Sequence, residues 1–137
     1  MRHSLTPQTR FFSIIVPAIV AGGVSVAMMV NGINGQADQF TWTILLFSLW
    51  VVFDHVVALA HPESIAIDET QIALSSFGRT HTYLWSEVHK LRIKRLASGT
   101  LYVRINDGGL LKGRYWIPVY KFPQKETLTK ALIDRQI

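Results

Sequence analysis

Two apolar stretches at the front of the chain, 11–30 and 41–60, constrain its fold more than any other feature. The first contains no charged residue, and the connector between the two contains no Lys or Arg. A helix of about twenty apolar residues spans the hydrocarbon core of a bilayer, and it satisfies its own backbone hydrogen bonds there. The pattern therefore predicts a transmembrane helical hairpin over 11–60, preceded by a short tail, 1–10.

Two other interpretations of these stretches are weaker. A cleaved signal peptide has a shorter apolar core, and no small-residue cleavage site followed by a mature domain precedes the second stretch. A hairpin buried in a water-soluble protein needs a covering layer, and segment 61–137 is too short to bury two such helices. Membrane insertion is therefore the preferred prediction.

The distribution of positive charge predicts the orientation of the hairpin. Arg2 and Arg10 precede it, the connector carries Asp38 alone among charged residues, and twelve of the fourteen Lys and Arg residues follow it. By the positive-inside rule, both termini are cytoplasmic and the connector lies outside. We expect a multi-pass protein of the bacterial inner (plasma) membrane with a cytoplasmic domain over 61–137.

Segment 61–137 has the pattern of strands followed by one helix. Residues Thr100–Ile105 alternate between apolar and polar side chains, as in a strand with one buried face. Asp68–Thr70 and Asn106–Gly109 have the composition of tight turns. From Pro123 the apolar spacing becomes helical. The segment therefore predicts six or seven strands and a closing helix.

Several motifs in this segment resemble the bacterial PH-like domains, which often follow a two-helix membrane hairpin. They comprise an I-x-I-D-E-x-x-I opening, a W-S-E-V step, an L-x-V-x-I-x-D-G hairpin and an I-P strand end. The residues are Ile65, Ile67, Asp68, Glu69, Ile72, Trp85, Ser86, Glu87, Val88, Leu101, Val103, Ile105, Asp107, Gly108, Ile117 and Pro118. The resemblance implies an α+β membrane protein with a seven-stranded β-sandwich or partial barrel, capped by the C-terminal helix.

A basic run on one predicted strand is the first candidate site. It contains Arg92, Lys94 and Arg95, and Arg104 lies on the next predicted strand. A Lys or Arg near an anionic membrane surface gains about 1 kcal/mol, so these residues are predicted to bind anionic lipids or a partner. The alternative is a solvated strand face. The first predicted hairpin has no Lys or Arg, which argues against the phosphoinositide site of lipid-binding PH domains.

Asp54 and His55, near the end of the second apolar stretch, form the second candidate site. Ionisable residues inside a membrane segment are costly, and they commonly face a partner helix or a water-filled path. A proton-linked role needs relay partners, and the first stretch offers Ser13 and Ser25 alone. Pairing inside a helix bundle is the preferred interpretation.

Small residues in the first stretch predict close helix packing. Ala18 with Gly22, and Gly23 with Ala27, have the small-x-x-x-small spacing that lets two helix backbones approach. The second helix of the same chain is the simpler partner. A second copy of the chain, or a helix of a larger complex, is the alternative.

No motif predicts an enzyme, a cofactor or a bound metal. The histidines lack helical ligand spacing, there is no Cys, and no phosphate-binding loop follows a strand. Nucleic-acid binding is not expected, because no recognition module is visible. We expect an accessory or scaffolding subunit of a membrane protein complex. The alternative is a sensor or regulator that binds anionic lipids of the cytoplasmic leaflet.

Overall fold

The computed structural model describes residues 1–109 and 111–136, and within them the chain is an α+β protein. One strand precedes two apolar helices, and six strands and a C-terminal helix follow. The helices are Pro7–Ile33, Gln39–Val57 and Lys125–Ile133. The strands are β1 (Arg2–Ser4), β2 (Ser64–Ile67), β3 (Gln71–Ser76), β4 (Arg79–Leu84), β5 (Leu91–Arg95), β6 (Leu101–Ile105) and β7 (Arg114–Ile117).

Both apolar helices are long and apolar enough to cross a membrane, with mean hydropathies of 2.2 and 1.7. They begin before the predicted bounds because polar caps extend them. Thr6 accepts a hydrogen bond from the backbone N–H of Thr9, and Asp38 accepts one from that of Thr41. Such caps satisfy donors that the first turn of a helix leaves free.

Each apolar helix contains one π-helical turn, and both turns lie at the end of the pair that meets the sheets. The turns are Phe11–Ile15 and Phe53–Val57. Pro17 has no N–H to donate to the carbonyl of Ser13, and the wider turn directly before it accommodates that loss. Such turns interrupt α-helices at specific places, often at functional sites.

The strands form two antiparallel sheets, one in the order β1-β2-β3-β4 and one in the order β5-β6-β7. Their facing side chains form the core, and the C-terminal helix covers it. Alternation along β6 is confirmed, with Leu101, Val103 and Ile105 buried and Tyr102 and Arg104 partly exposed. Other core residues include Ile65, Ile72, Leu74, Leu91, Tyr115, Ile117, Leu128 and Leu132.

The first strand changes the predicted division of the chain. Residues 1–10 are expected to be a tail, but Arg2–Ser4 pairs with Ser64–Ile67 at the edge of the first sheet. The N-terminal ammonium group of Met1 also donates to the carbonyl of Ile67 at 2.7 Å. Three residues are too few to show a strand period. The two apolar helices are therefore inserted between the first and second strands of one sheet.

The predicted turn after β6 is confirmed. Asn106 and Asp107 have φ of 51° and 55°, and the N–H of Gly108 donates to the carbonyl of Ile105 at 2.9 Å. Asn and Asp adopt this left-handed conformation more readily than most residues. Gly108 packs directly on Gly113, and a Cβ added to Gly108 would lie 2.4 Å from the Cα of Gly113. The loop between β6 and β7 therefore depends on glycine at this contact.

Candidate functional site

The outward face of the second sheet carries basic and aromatic side chains in two rows. Register pairs Arg92 with Arg104 and Arg104 with Arg114 across the three strands. The second row lies two residues away along each strand, on the same face of the sheet. We call the six residues the basic–aromatic face: Arg92, Arg104, Arg114, Lys94, Tyr102 and Trp116.

A row of three arginines is unfavourable because like charges lie directly opposite one another. The loop after β6 supplies acceptors that offset part of this cost. The guanidinium groups of Arg104 and Arg114 both donate to the carbonyl of Gly108, at 3.3 and 2.9 Å. The carboxylate of Asp107 accepts from Lys90 at 2.9 Å, and this bond, with the charges of Arg104 and Arg92, lowers the pKa of Asp107. The face keeps an excess of positive charge.

The aromatic row faces the last two turns of the second apolar helix across a small cleft. The rings of Tyr102 and Trp116 have centroids 4.6 Å apart. A cleft of about 230 Å³ separates them and Arg114 from Trp50 and Asp54 of the helix. The basic–aromatic face therefore begins where the apolar surface of the helix pair ends.

Arg95 does not belong to this face, which corrects the predicted grouping of Arg92, Lys94, Arg95 and Arg104. Its register partner is Leu101, whose side chain is buried, so Arg95 leaves the strand on the opposite side. There it lines a cleft of about 780 Å³ beside the C-terminal helix. The period of two along β5 is the signal that separates Arg95 from its neighbours.

Asp54 and His55 lie at the joint between the second apolar helix and the first sheet, together with His61. The Nε2 atom of His61 lies 2.8 Å from a carboxylate oxygen of Asp54. The rings of His55 and His61 stack with centroids 4.3 Å apart. Nδ1 of His55 lies 3.0 Å from the carbonyl of Val51. Sequence spacing missed His61, because it joins the other two through a loop and not along a helix face.

The backbone between His55 and His61 reverses through Leu59. Its φ is 50°, a left-handed conformation uncommon for a leucine, and its side chain is fully buried. The N–H of Ala60 donates to the carbonyl of Asp54 at 3.1 Å, and the guanidinium of Arg79 donates to that of Val56 at 3.0 Å. These bonds end the helix and turn the chain back toward it.

The two apolar helices contact each other through small and polar side chains together with one leucine. Ala21 and Ser25 of the first helix are buried, as are Thr41, Leu45 and Ser48 of the second. The hydroxyl oxygens of Ser25 and Ser48 are 2.8 Å apart, so one donates to the other across the interface. Small side chains at these positions allow the close approach of the backbones.

Two of the four predicted packing residues lie on the exposed side of the first helix. Gly23 and Ala27 are exposed, and Ala18 and Gly22 are partly exposed. An added Cβ at Gly22 or Gly23 would meet no atom within 4 Å. The contact stripe therefore runs through Ala21 and Ser25, and the exposed pair Gly23 and Ala27 lies outside it. Their packing against a helix of another chain stays a prediction.

A buried hydrogen-bonded cluster joins the two sheets inside the core. The hydroxyl of Tyr115 lies 2.8 Å from Nδ1 of His81 and 2.6 Å from the hydroxyl of Tyr83. Burial lowers the pKa of His81 and raises that of Tyr115. Strand alternation places His81 and Tyr83 on one face of β4, whereas Tyr115 reaches them from the other sheet, which no local sequence pattern indicates.

No protein-family model, no curated protein and no solved structure matches this chain. The resemblance to PH-like domains therefore stays a prediction. Function is inferred from the geometry of the chain itself.

Proposed function

We propose that this chain is an integral membrane protein whose PH-like domain binds anionic lipid head groups through the basic–aromatic face. The observation that carries the proposal is the position of this face beside Trp50, at the end of an apolar helix. Tryptophan and tyrosine are enriched at the level of lipid head groups. Lys94 lies in the same row as Tyr102 and Trp116, and the arginine row lies beside that row on the same face.

Membrane insertion is supported by the exposed surface of the helix pair. Side chains that point away from the partner helix include Ile19, Val26 and Phe47, which are 65%, 61% and 69% exposed. A contiguous apolar surface of this kind is unfavourable in water. The contacts of the two sheets with the pair lie at one end of it. A bilayer would cover the rest of its apolar surface.

The PH-like assignment is supported by the count and arrangement of strands. In the described residues, sheets of four and three strands face each other and a C-terminal helix covers their core. The resemblance implies seven strands and a capping helix. Six strands follow the helix pair, and β1, which precedes it, completes the count of seven. The assignment thus includes a hairpin inserted after the first strand.

Lipid binding is supported by charge and by tethering. Each Lys or Arg at an anionic leaflet contributes about 1 kcal/mol, and Arg92, Lys94, Arg104 and Arg114 share one face. The domain is already attached to the membrane helices, so docking costs little additional translational entropy. Lipid selectivity is then expected to weaken as salt rises, because exposed charges are screened.

The test measures lipid selectivity of the full chain in bilayers. Spin-labelled phosphatidylglycerol and phosphatidylcholine report the relative association of each lipid with the protein. We expect a preference for phosphatidylglycerol in the unmodified chain. The double variant Arg92→Glu with Lys94→Glu should lose it, because both exposed side chains change sign on the docking face.

A matched variant changes the same charge elsewhere. Lys125→Glu with Lys130→Glu alters two exposed lysines of the C-terminal helix, beside the larger cleft. We expect this variant to retain the preference. Equal loss in both double variants, or no preference in the unmodified chain, would reject a specific role for the basic–aromatic face.

A second function, as an accessory subunit of a membrane complex, is favoured by the open surface at Gly22 and Gly23. Small residues that meet nothing within the chain leave room for a helix from another protein. Affinity purification from the native membrane in mild detergent, followed by mass spectrometry, tests this function. A stoichiometric partner that is lost on Gly23→Leu supports it, and recovery of the chain without a protein partner contradicts it.

A further inference from the structure

We propose that Asp54, His55 and His61 bind one divalent transition-metal ion at the joint between the second apolar helix and the first sheet. One donor atom from each of these residues lies within 4.8 Å of the other two. The inference goes beyond lipid binding and does not depend on it.

The hydrogen bonds around the cluster favour metal coordination. The carbonyl of Val51 can only accept, so the proton of a neutral His55 is on Nδ1 and the lone pair is on Nε2. A metal-binding histidine commonly has its other ring nitrogen held in this way. Asp54 and His61 are already 2.8 Å apart. Binding of one ion requires the stacked rings of His55 and His61 to turn out of their stack, so that their in-plane lone pairs converge. The three donors then reach the separation of roughly 3.3 Å found between ligands of a tetrahedral ion.

The donor types indicate the class of metal. Two imidazoles and one carboxylate suit Zn²⁺ and its neighbours Co²⁺ and Ni²⁺, whereas Ca²⁺ and Mg²⁺ take mainly oxygen ligands. The three side chains are partly exposed, so water can complete the coordination. Asp54 supplies the negative charge. Arg114 lines the same cleft and Arg79 caps the nearby helix end, and their charges oppose binding of a cation.

Metal binding would link two parts of the chain. Asp54 and His55 lie in the π-helical turn that ends the second helix, and His61 lies three residues before β2. A bound ion would tie the helix end to the segment that enters the first sheet. It would thereby strengthen the connection between the sheets and the helix pair.

The experiment uses the full chain without a polyhistidine tag, since a tag binds the same metals. Co²⁺ is titrated into the purified protein, and its visible absorption reports a site of low coordination number. We expect one equivalent of Co²⁺ to bind with this absorption, and Zn²⁺ to displace it. A thiolate band is not expected because the chain has no Cys.

Variants at the joint and elsewhere separate this site from other histidines. His61→Ala and Asp54→Asn should each weaken Co²⁺ binding by at least roughly tenfold. His89→Ala, at an exposed position outside the joint, should bind as the unmodified chain does. Thermal unfolding of each variant without metal identifies any that fails to fold, and His55→Gln then replaces it.

Three results would overturn the proposal. They are the absence of stoichiometric Co²⁺ binding by the unmodified chain, equal affinity in the joint variants, and a loss of binding on His89→Ala. An increase in thermal stability on adding Zn²⁺ to the unmodified chain, absent in His61→Ala, is the independent supporting result.

Discussion

The backbone N–H of Trp116 donates to the carbonyl of Ala60 at 2.7 Å, so β7 is hydrogen-bonded to the chain that leaves the second apolar helix. The first helix is held as well, because Nζ of Lys121 donates to the hydroxyl of Ser13 at 2.9 Å. These bonds come from the second sheet and from the turn that follows it. The basic–aromatic face therefore keeps a defined position relative to both helices.

Packing between the apolar helices predicts that leucine substitutions of Ala21 and Ala27 differ in their effect on stability. Ala21→Leu places a large side chain in the contact stripe and should lower the free energy of unfolding by about 1–3 kcal/mol. Ala27→Leu adds the same side chain at an exposed position and should leave it nearly unchanged. Thermal unfolding in detergent, followed by circular dichroism, compares the two. Equal destabilisation would contradict the observed interface.

The buried cluster around Tyr115 predicts a large effect of losing one oxygen. Tyr115→Phe leaves His81 and Tyr83 without their shared partner, and it should cost about 1–3 kcal/mol. Tyr83→Phe should cost less, because Tyr115 keeps its contact with His81. Denaturant unfolding measures both free energies. A smaller effect for Tyr115→Phe than for Tyr83→Phe would show that the cluster does not join the sheets as described.

His3 predicts a loss of stability in mild acid. Its side chain is 3% exposed, and neither ring nitrogen has a hydrogen-bond partner among the described residues. Burial and the charge of the N-terminus lower the pKa of His3 from its ordinary value of 6.5. Below pH 6.5 the unfolded chain takes up a proton that the folded chain resists, so the free energy of unfolding falls as pH falls.

The variant His3→Leu tests this prediction. Melting temperatures measured from about pH 7.5 to about pH 5 cover the range in which histidine titrates. The decline should be shallower in His3→Leu than in the unmodified chain, with a residual slope from His81, whose pKa is also lowered. A parallel decline in both proteins would show that His3 does not contribute.

Gly108 and Gly109 predict opposite tolerance to alanine. A Cβ at Gly108 would overlap the backbone of Gly113, whereas one at Gly109 meets nothing within 4 Å. Gly108→Ala should destabilise the protein by more than about 2 kcal/mol, and it should displace the carbonyl that Arg104 and Arg114 share. Gly109→Ala should be nearly neutral. Unfolding free energies and lipid selectivity of the two variants provide the comparison.

Much of the fold was predictable because its signals are local. The apolar stretches, the alternation in β6 and the Asn106–Gly109 turn each depend on residues close in sequence, and the structure contains all three. Pairing of Arg2–Ser4 with Ser64–Ile67 was not predictable. It depends on segments separated by the whole hairpin, and three residues are too few to show the alternation of apolar and polar side chains that identifies a strand.

The candidate sites were predicted in part for the same reason. Arg92, Lys94 and Arg104 share a face that strand alternation anticipates, whereas Arg114 joins them through register between strands. His61 reaches Asp54 through the backbone reversal at Leu59, and spacing rules for helices do not describe such a reversal. Residues brought together by tertiary contacts leave little trace in the order of the chain.

The pairing of β1 with β2 also has a topological consequence. The two strands come directly before and after the hairpin in the chain, so their hydrogen bonds close a loop of which the hairpin is a part. Two strands paired in this way lie on the same side of any membrane that the hairpin enters. In a bilayer, an arrangement with a single crossing would separate them and leave one edge of the first sheet unpaired. The number of crossings is thus constrained by backbone hydrogen bonds at Ser64–Ile67, independently of the positive charges that flank the helices.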